Sequence, residues 1–430
     1  MATLQAVIML VIFFGGIYLM FRQKVPAFLC MILMAVLIAI VAGLPVTGEV
    51  SIATTVFAGG VAAFSTAIFA SIFGGWLGCI MNETGITRDL IRRASELAGD
   101  KTAIVAIVMS ACVAILFTSL QGFGATIAVG TLVLPILTAT GCRPKQAAVI
   151  FMLARTLGNL LNPVAWVLYQ TLTGLENTSD MAPIATVACV CIGIGLLIYI
   201  VLNLILGRRR VAAWAVEAGK TESVDLGSGK RPPVYSLITP VIPLILVGIF
   251  KWDIIISLFA GVVYGAVTGR PREIIRILSK TFPEGIRVCI PGISVLIGAG
   301  FLYACITIEP VYSLLLPIVQ YIVPSTFIGY IIVFSLMAPL ALYRGPMNTG
   351  GMGVGFIALI LLTGKLPLMA VCAAFMGAHI IHLSSCPTNS HNIWVSDYVG
   401  IDVTSLTINL LPYVWPMSIV TVIAGAFMYM

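Results

Sequence analysis

Residues 119–166 read SLQGFGATIAVGTLVLPILTATGCRPKQAAVIFMLARTLGNLLNPVAW, and residues 342–390 read LYRGPMNTGGMGVGFIALILLTGKLPLMAVCAAFMGAHIIHLSSCPTNS. The two passages share landmarks at one spacing. Gly122 and Gly345, Gly130 and Gly353, Gly141 and Gly364, and Pro144 and Pro367 each stand 223 positions apart, while Pro163 and Pro387 stand 224 apart. Each copy has a glycine-rich break, a GxxP corner, and then a polar break inside an apolar helix. Paired breaks at corresponding places in two halves of a hydrophobic chain mark a membrane transporter.

Composition puts the passages in a bilayer. The 430 residues are 60% hydrophobic and 9% charged, with a mean hydropathy of +1.11, far from a soluble domain. Apolar runs long enough to cross lie at about 3–20, 25–43, 60–81, 183–206, 236–250, 252–268, 284–306 and 408–430. The ten cysteines are scattered through these runs without a spaced framework, so they read as small apolar residues. The first run is followed, not preceded, by its cations Arg22 and Lys24, as expected of a retained first span.

Basic residues collect at Arg22/Lys24, Arg88–Lys101, Arg143/Lys145, Arg208–Arg231 and Arg270–Lys280, and the positive-inside rule makes these cytoplasmic. Segments 44–59, 174–182 and 307–325 hold no Lys or Arg and fall outside. The net charge of +7 therefore reports topology and an anionic leaflet, not nucleic acid. Residues 102–141 then start and end inside and 326–364 start and end outside, each as a hairpin. Equivalent segments point opposite ways, an inverted-topology repeat.

The expected fold is an all-α polytopic membrane protein with about ten transmembrane helices, two re-entrant hairpins and two broken helices. The first repeat is 1–210, with an interfacial arm at 85–101, hairpin 102–141 and broken helix 145–173. A cytoplasmic linker follows at 211–235. The second repeat is 236–430, with arm 310–324, hairpin 326–364 and broken helix 367–394. Both termini are expected outside the inner membrane.

The chemistry is expected at the two hairpin tips, Thr118–Thr126 and Leu342–Gly351, and the two breaks, Gly158–Trp166 and Ser384–Asn392. Non-helical backbone at membrane depth is tolerated where it lines a cavity. Half-helix N-termini offer N–H groups to an anion, and unwound carbonyls suit a cation. A lone Pro in a span is otherwise only a kink, but here each Pro is flanked by Asn, Ser or Thr.

Arg344 is a costly cation in a tip, suited to gripping a carboxylate, with snorkelling or pairing to Glu309 as the alternatives. Arg155 is a second carboxylate contact or an inner-interface residue. His379, His382 and His391 resemble a metal set only superficially, because the helix is broken between them and no acid is near. They read as hydrogen-bonding residues of the break, with a proton relay through His382 or His391 as the alternative. No Asp or Glu falls in the tips or breaks, which disfavours a proton antiporter and favours sodium over protons as the coupling ion.

This arrangement of arm, hairpin with a Gly-rich tip, and helix broken at Asn-Pro or Pro-Thr-Asn, all repeated, resembles the ion transporter superfamily. That group includes divalent-anion symporters, gluconate, lactate and citrate permeases and the large membrane subunit of TRAP transporters. The resemblance implies an elevator mechanism, a homodimer and a small organic anion held between tips and breaks. By position it implies substrate contacts from Ser119, Gln121, Gly122, Thr126, Asn159, Tyr343, Arg344, Gly345, Asn348, Thr349, Thr388 and Asn389. The coupling ion, Na+ or H+, falls to Asn162, Pro163, Ser385, Pro387 and His391. No other cofactor, metal or nucleic acid is expected. The expected activity is cation-coupled symport of a small organic anion, with a Na+/H+ antiporter, a subunit dependent on a binding protein, or a membrane enzyme as alternatives.

Overall fold

A computed structural model describes residues 2–22, 24–205 and 231–430. The linker expected at 211–235 and the basic cluster Arg208–Lys230 lie almost wholly outside the described residues. Helices α1 (Ala2–Phe21) and α2 (Ala27–Val41) open the chain, and a π-helical turn, Ile52–Ala58, leads through α3 (Gly59–Ala63) into α4 (Ser65–Glu83). There follow α5 (Ile86–Ala98), α6 (Thr102–Phe117), α7 (Gly122–Ala139), α8 (Pro144–Leu160), α9 (Pro163–Thr173) and α10 (Ala182–Ile200). The second half has a 3-10 turn, Val234–Val241, then α11 (Ile242–Gly248), α12 (Ile254–Gly269), α13 (Ile274–Ile306) and α14 (Glu309–Ile322). It ends with α15 (Phe327–Met337), a 3-10 segment Ala338–Arg344, α16 (Gly353–Leu362), α17 (Leu368–Ser385), α18 (Ser390–Val399) and α19 (Val403–Tyr429).

The series α4–α10 and α13–α19 correspond in order: long helix, short arm, hairpin, broken helix, long helix. Local sequence explains the corners. Gly141 and Gly364, at φ 100° and 63°, adopt the left-handed conformation that ends each hairpin. Pro144 then occupies the first turn of α8 and Pro367 precedes α17, where a missing N–H costs nothing. The arm α5 buries Ile86 and Ile91 and ties Arg93 Nε to Asp89 Oδ2 at 2.7 Å one turn away.

The protein is an all-α polytopic membrane protein. Among the described residues there is no strand, and eight helices are long and apolar enough to cross a bilayer, or nine if α8 and α9, bent by 56°, form one span. The expected ten is reached only by adding shorter apolar helices such as α2 (15 residues) and α12 (16 residues). At 1.5 Å per residue these reach about 24 Å, short of the ~30 Å hydrocarbon core. By contrast, α13 runs 33 residues. Lys280, on its polar first turns, pairs with Glu83 at the end of α4, 2.7 Å away. Large apolar side chains stay exposed along α1 (Leu4, Val11, Phe14) and α10 (Val190, Ile194, Leu197), as a lipid-facing surface requires.

Two packing groups emerge. In one, α2, α3, α4 and α12 gather around or beside α13; in the other, α6, α8, α10, α17 and α19 pack together. Small residues set both. A Cβ on Gly300 would lie 2.4 Å from Gly60 O, so α13 and α3 touch backbone to backbone. A Cβ on Gly158 would lie 2.2 Å from Ala114 O, which fixes α8 against α6. The second group draws on both halves of the chain, with corresponding helices α10 and α19 in contact.

Candidate functional site

Both helix breaks are closed by an asparagine. Asn162 Oδ1 accepts from Val164 N at 3.0 Å to cap α9, and Asn389 Oδ1 accepts from His391 N at 3.4 Å to cap α18. These asparagines, rather than Pro163 and Pro387, are the equivalent residues of the two breaks. Pro163 begins α9, whereas Pro387 lies two residues before its cap. Asn162 Nδ2 also donates to Phe117 O at 3.1 Å and Leu120 O at 3.3 Å, which locks the first break to the first tip.

A cavity of about 270 Å³ lies where the tips and breaks meet the α4–α13 group. Tip one supplies Gln121, Gly122 and Phe123, tip two supplies Arg344, Thr349 and Gly350, and α8 supplies Arg155 and Asn159. From α17 come His379 and His382, and from the second break and α18 come Asn389 and His391. The opposite wall, which sequence reasoning did not anticipate, is α4 (Ala67, Ser71) and α13 around Pro291 and Gly292. Nothing in the repeat singles out that wall, although prolines inside a long apolar helix are a usable signal.

Electrostatically the cavity is one-sided. Among the described residues two guanidiniums and three imidazoles line it, and no Asp or Glu does. Arg155 is 3% exposed, donates from Nε to Thr126 Oγ1 at 3.1 Å, lies 5.4 Å from the Phe117 ring centroid, and leaves Nη1 without a partner. Arg344 donates from Nη1 to Gly350 O at 2.6 Å and leaves Nε without a partner. Buried donors are normally satisfied, so unpaired guanidinium hydrogens in two side chains that line one cavity are unusual. The same region holds unpartnered His379 Nε2 and His382 Nδ1. Among the described residues no group of His, Cys, Asp or Glu is arranged to hold a metal ion.

Tip two is strained. Tyr343 and Arg344 sit at φ 54° and 62°, left-handed conformations that cost non-glycine residues about 1–2 kcal/mol each. The turn is held by Asn348, whose Nδ2 donates to Ala341 O at 2.7 Å and whose Oδ1 accepts from Gly350 N at 2.9 Å. Tyr343 points away from the cavity and packs on Phe21 of α1, with ring centroids 4.5 Å apart.

The named candidates therefore separate. Gln121, Gly122, Asn159, Arg344, Thr349, Asn389 and His391 line the cavity. Thr126 stands just behind it, bonded to Arg155 and to His391 Nδ1 (2.8 Å). Ser119 is wholly buried and donates to Pro240 O, as does Thr118 at 2.8 Å, so that edge of tip one faces the 3-10 turn at 234–241. Tyr343, Gly345, Asn348, Thr388, Asn162, Pro163, Ser385 and Pro387 do not line it. Thr388 Oγ1 bonds Cys386 Sγ at 3.1 Å, and Ser385 Oγ bonds Ser384 Oγ at 3.1 Å. Arg155, His379 and His382, singled out in the sequence without a firm role, are central.

The architecture has solved counterparts. The chain is similar to the Alcanivorax borkumensis YdaH transporter, with a TM-score of 0.64, 13% identity, and coverage of 93% of this chain and 97% of that one. It is also similar to Neisseria gonorrhoeae MtrF, described within a class of antimetabolite efflux pumps, with a TM-score of 0.57, 14% identity and 93% coverage of both chains. At such identities the likeness is one of fold: an all-helical membrane-transporter fold. No family model matches the chain, and no curated protein matches it in sequence.

Proposed function

We propose that the protein is a secondary active transporter that moves a small organic anion, most simply a carboxylate, together with a coupling cation. The observation that carries this reading is the acid-free cavity with unpartnered N–H groups on Arg155 and Arg344. A guanidinium offers a planar pair of donors that matches a carboxylate. The substrate would lie between tip and break, as the resemblance to the ion transporter superfamily implies. The helices α6–α10 and α15–α19 would slide as a body past a scaffold of α2, α3, α4, α12 and α13, in an inverted-repeat elevator. A homodimer formed through the scaffold, in an inner membrane with both termini outside, completes the reading.

The similarity to MtrF favours a second reading in direction only: outward movement of an anionic compound. A Na+/H+ antiporter without organic substrate is poorly supported, because no carboxylate lines the cavity. A thermal-shift screen of mono- and dicarboxylates, followed by uptake into proteoliposomes, tests the proposal. Arg344→Ala should abolish uptake of the best carboxylate while the protein remains folded. Near-normal uptake by that variant would remove Arg344 from the site.

A further inference from the structure

The chain has three histidines in all, and all three line this cavity. His379 and His382 lie one turn apart on α17 with ring centroids 5.4 Å apart and planes at 89°. Two of the three are tied to the hairpins. His391 Nδ1 shares a hydrogen bond with Thr126 Oγ1 at 2.8 Å, and His379 Nδ1 shares one with Thr349 Oγ1 at 3.1 Å. Thr126 and Thr349 stand 223 positions apart, the spacing of the hairpin glycines. Equivalent positions of the two hairpins thus each grip an imidazole.

The groups facing these imidazoles are Arg155 from α8, Arg344 and Thr349 from tip two, and Tyr169 from α9 with its ring 6.0 Å from His379, while Cys289 of α13 lines the same cavity. Among the described residues no acid lines the cavity. A second proton on an imidazole would stand in one cavity with the guanidiniums of Arg155 and Arg344, and like charges oppose one another. An anion removes that opposition, and linkage then requires proton and anion to tighten each other's binding equally.

Several carbonyls of the tips and breaks are already engaged by side-chain donors. Leu160 O already accepts from Trp166 Nε1, Ser384 O from Asn392 Nδ2, Ser385 O from Thr407 Oγ1 and Gly350 O from Arg344 Nη1. Phe117 O and Leu120 O accept from Asn162. Two imidazole nitrogens, His379 Nε2 and His382 Nδ1, are among the buried atoms left without a partner.

We propose, resting on the anion reading of this cavity, that the coupling ion is a proton and that His379, His382 and His391 carry it with the anion. The proton enters from water on the side the cavity faces, converts one neutral imidazole to imidazolium, and leaves the same ring on the other side. No other bond is made or broken except hydrogen bonds. Because an imidazolium only donates, charging His379 or His391 fixes its bond to Thr349 or Thr126 with the threonine oxygen as acceptor. Proton load is thereby read by the tips.

The test uses the full chain in nanodiscs, purified without a histidine tag and labelled with 15N-histidine, so that its three imidazoles are the whole spectrum. Succinate and lactate are the probes, with sodium replaced by choline. Succinate affinity should rise about tenfold for each pH unit lowered just above neutrality, the slope for one linked proton, and one imidazole should become doubly protonated only with succinate present. His382→Gln should flatten that slope while binding persists; an unchanged slope would exclude His382. Affinity independent of pH but dependent on sodium, with three neutral imidazoles, overturns the proton assignment and leaves the anion reading standing. If neither probe moves an imidazole signal, both readings fall.

Discussion

Replacing Arg155 with methionine should make the empty protein more stable and the anion bind more weakly. The side chain is 3% exposed and no acid lines its cavity, so the folded state carries an unneutralised buried charge. Desolvating such a charge costs several kcal/mol. Against this stand one charge-assisted bond to Thr126, worth about 2 kcal/mol, and stacking over Phe117, worth about 1 kcal/mol. The balance favours methionine, which fills much the same volume, by roughly 1–3 kcal/mol. Binding should move the other way. Losing one charged donor costs about 1.5–3 kcal/mol, so succinate affinity should fall roughly ten- to a hundredfold. Arg155→Lys should fall between, keeping the charge but not the planar pair of donors. Thermal melting and probe titration on the same nanodisc preparations read both effects. A variant that melts lower and binds succinate as before would make Arg155 a structural residue and refute the argument.

Asn162→Ala removes a helix cap and leaves two buried tip carbonyls without this donor; a loss of about 2–3 kcal/mol should appear as faster amide exchange at residues 117–124. Gly300→Ala would drive a methyl to 2.4 Å from Gly60 O, so it should cost about 1–3 kcal/mol and lower the melting temperature, whereas the same change at Gly292, with open space around it, should not. Cysteines placed singly at Leu97 and Tyr321, 80% and 93% exposed on the two arms, should react with an impermeant reagent from opposite sides of the membrane. Nine of the ten native cysteines are buried and Cys189 is partly so, which keeps the background low; labelling of both sites from one side would refute the inverted repeat.

The parts of the fold that local chemistry dictates were legible. Left-handed glycines at 141 and 364, the prolines that follow them, and the amphipathic arm at 86–98 leave their mark on neighbouring residues, so hairpins and broken helices could be read from spacing. Span counting was less legible, because α2, α11 and α12 are apolar but short, and composition reveals hydrophobicity more readily than depth. Within the site, cost was the reliable guide. Arg344 and the histidines stood out because polar groups in an apolar run need a reason, and they line the cavity. Asn162 and Ser385 also stood out, yet their side chains are used internally: polarity announces a hydrogen bond but not its partner. The α13 wall was invisible because its lining residues, such as Val288, Val295 and Leu296, look like any lipid-facing helix.

On the anion reading proposed above, release would follow from opening of tip two. At the 223 spacing of the hairpins, Gln121 corresponds to Arg344 and Arg155 to Ala378, so neither arginine has an arginine counterpart. Each half therefore contributes one guanidinium, but on different elements: the broken helix in the first half, the hairpin tip in the second. Arg344 sits on a strained turn and is held by a bond within its own tip, so it would travel with that tip. Arg155 is anchored through Thr126 and Phe117 to the first hairpin. Opening tip two would then withdraw one of two charges from the anion and leave the other in place. The affinity lost, roughly ten- to a hundredfold for one charged contact, is sufficient to turn a holding site into a releasing one. With both arginines on tip two the anion would face an all-or-none change, and with both on broken helices tip opening would release neither. On this reading the split between halves would let one hinge act on half of the binding charge.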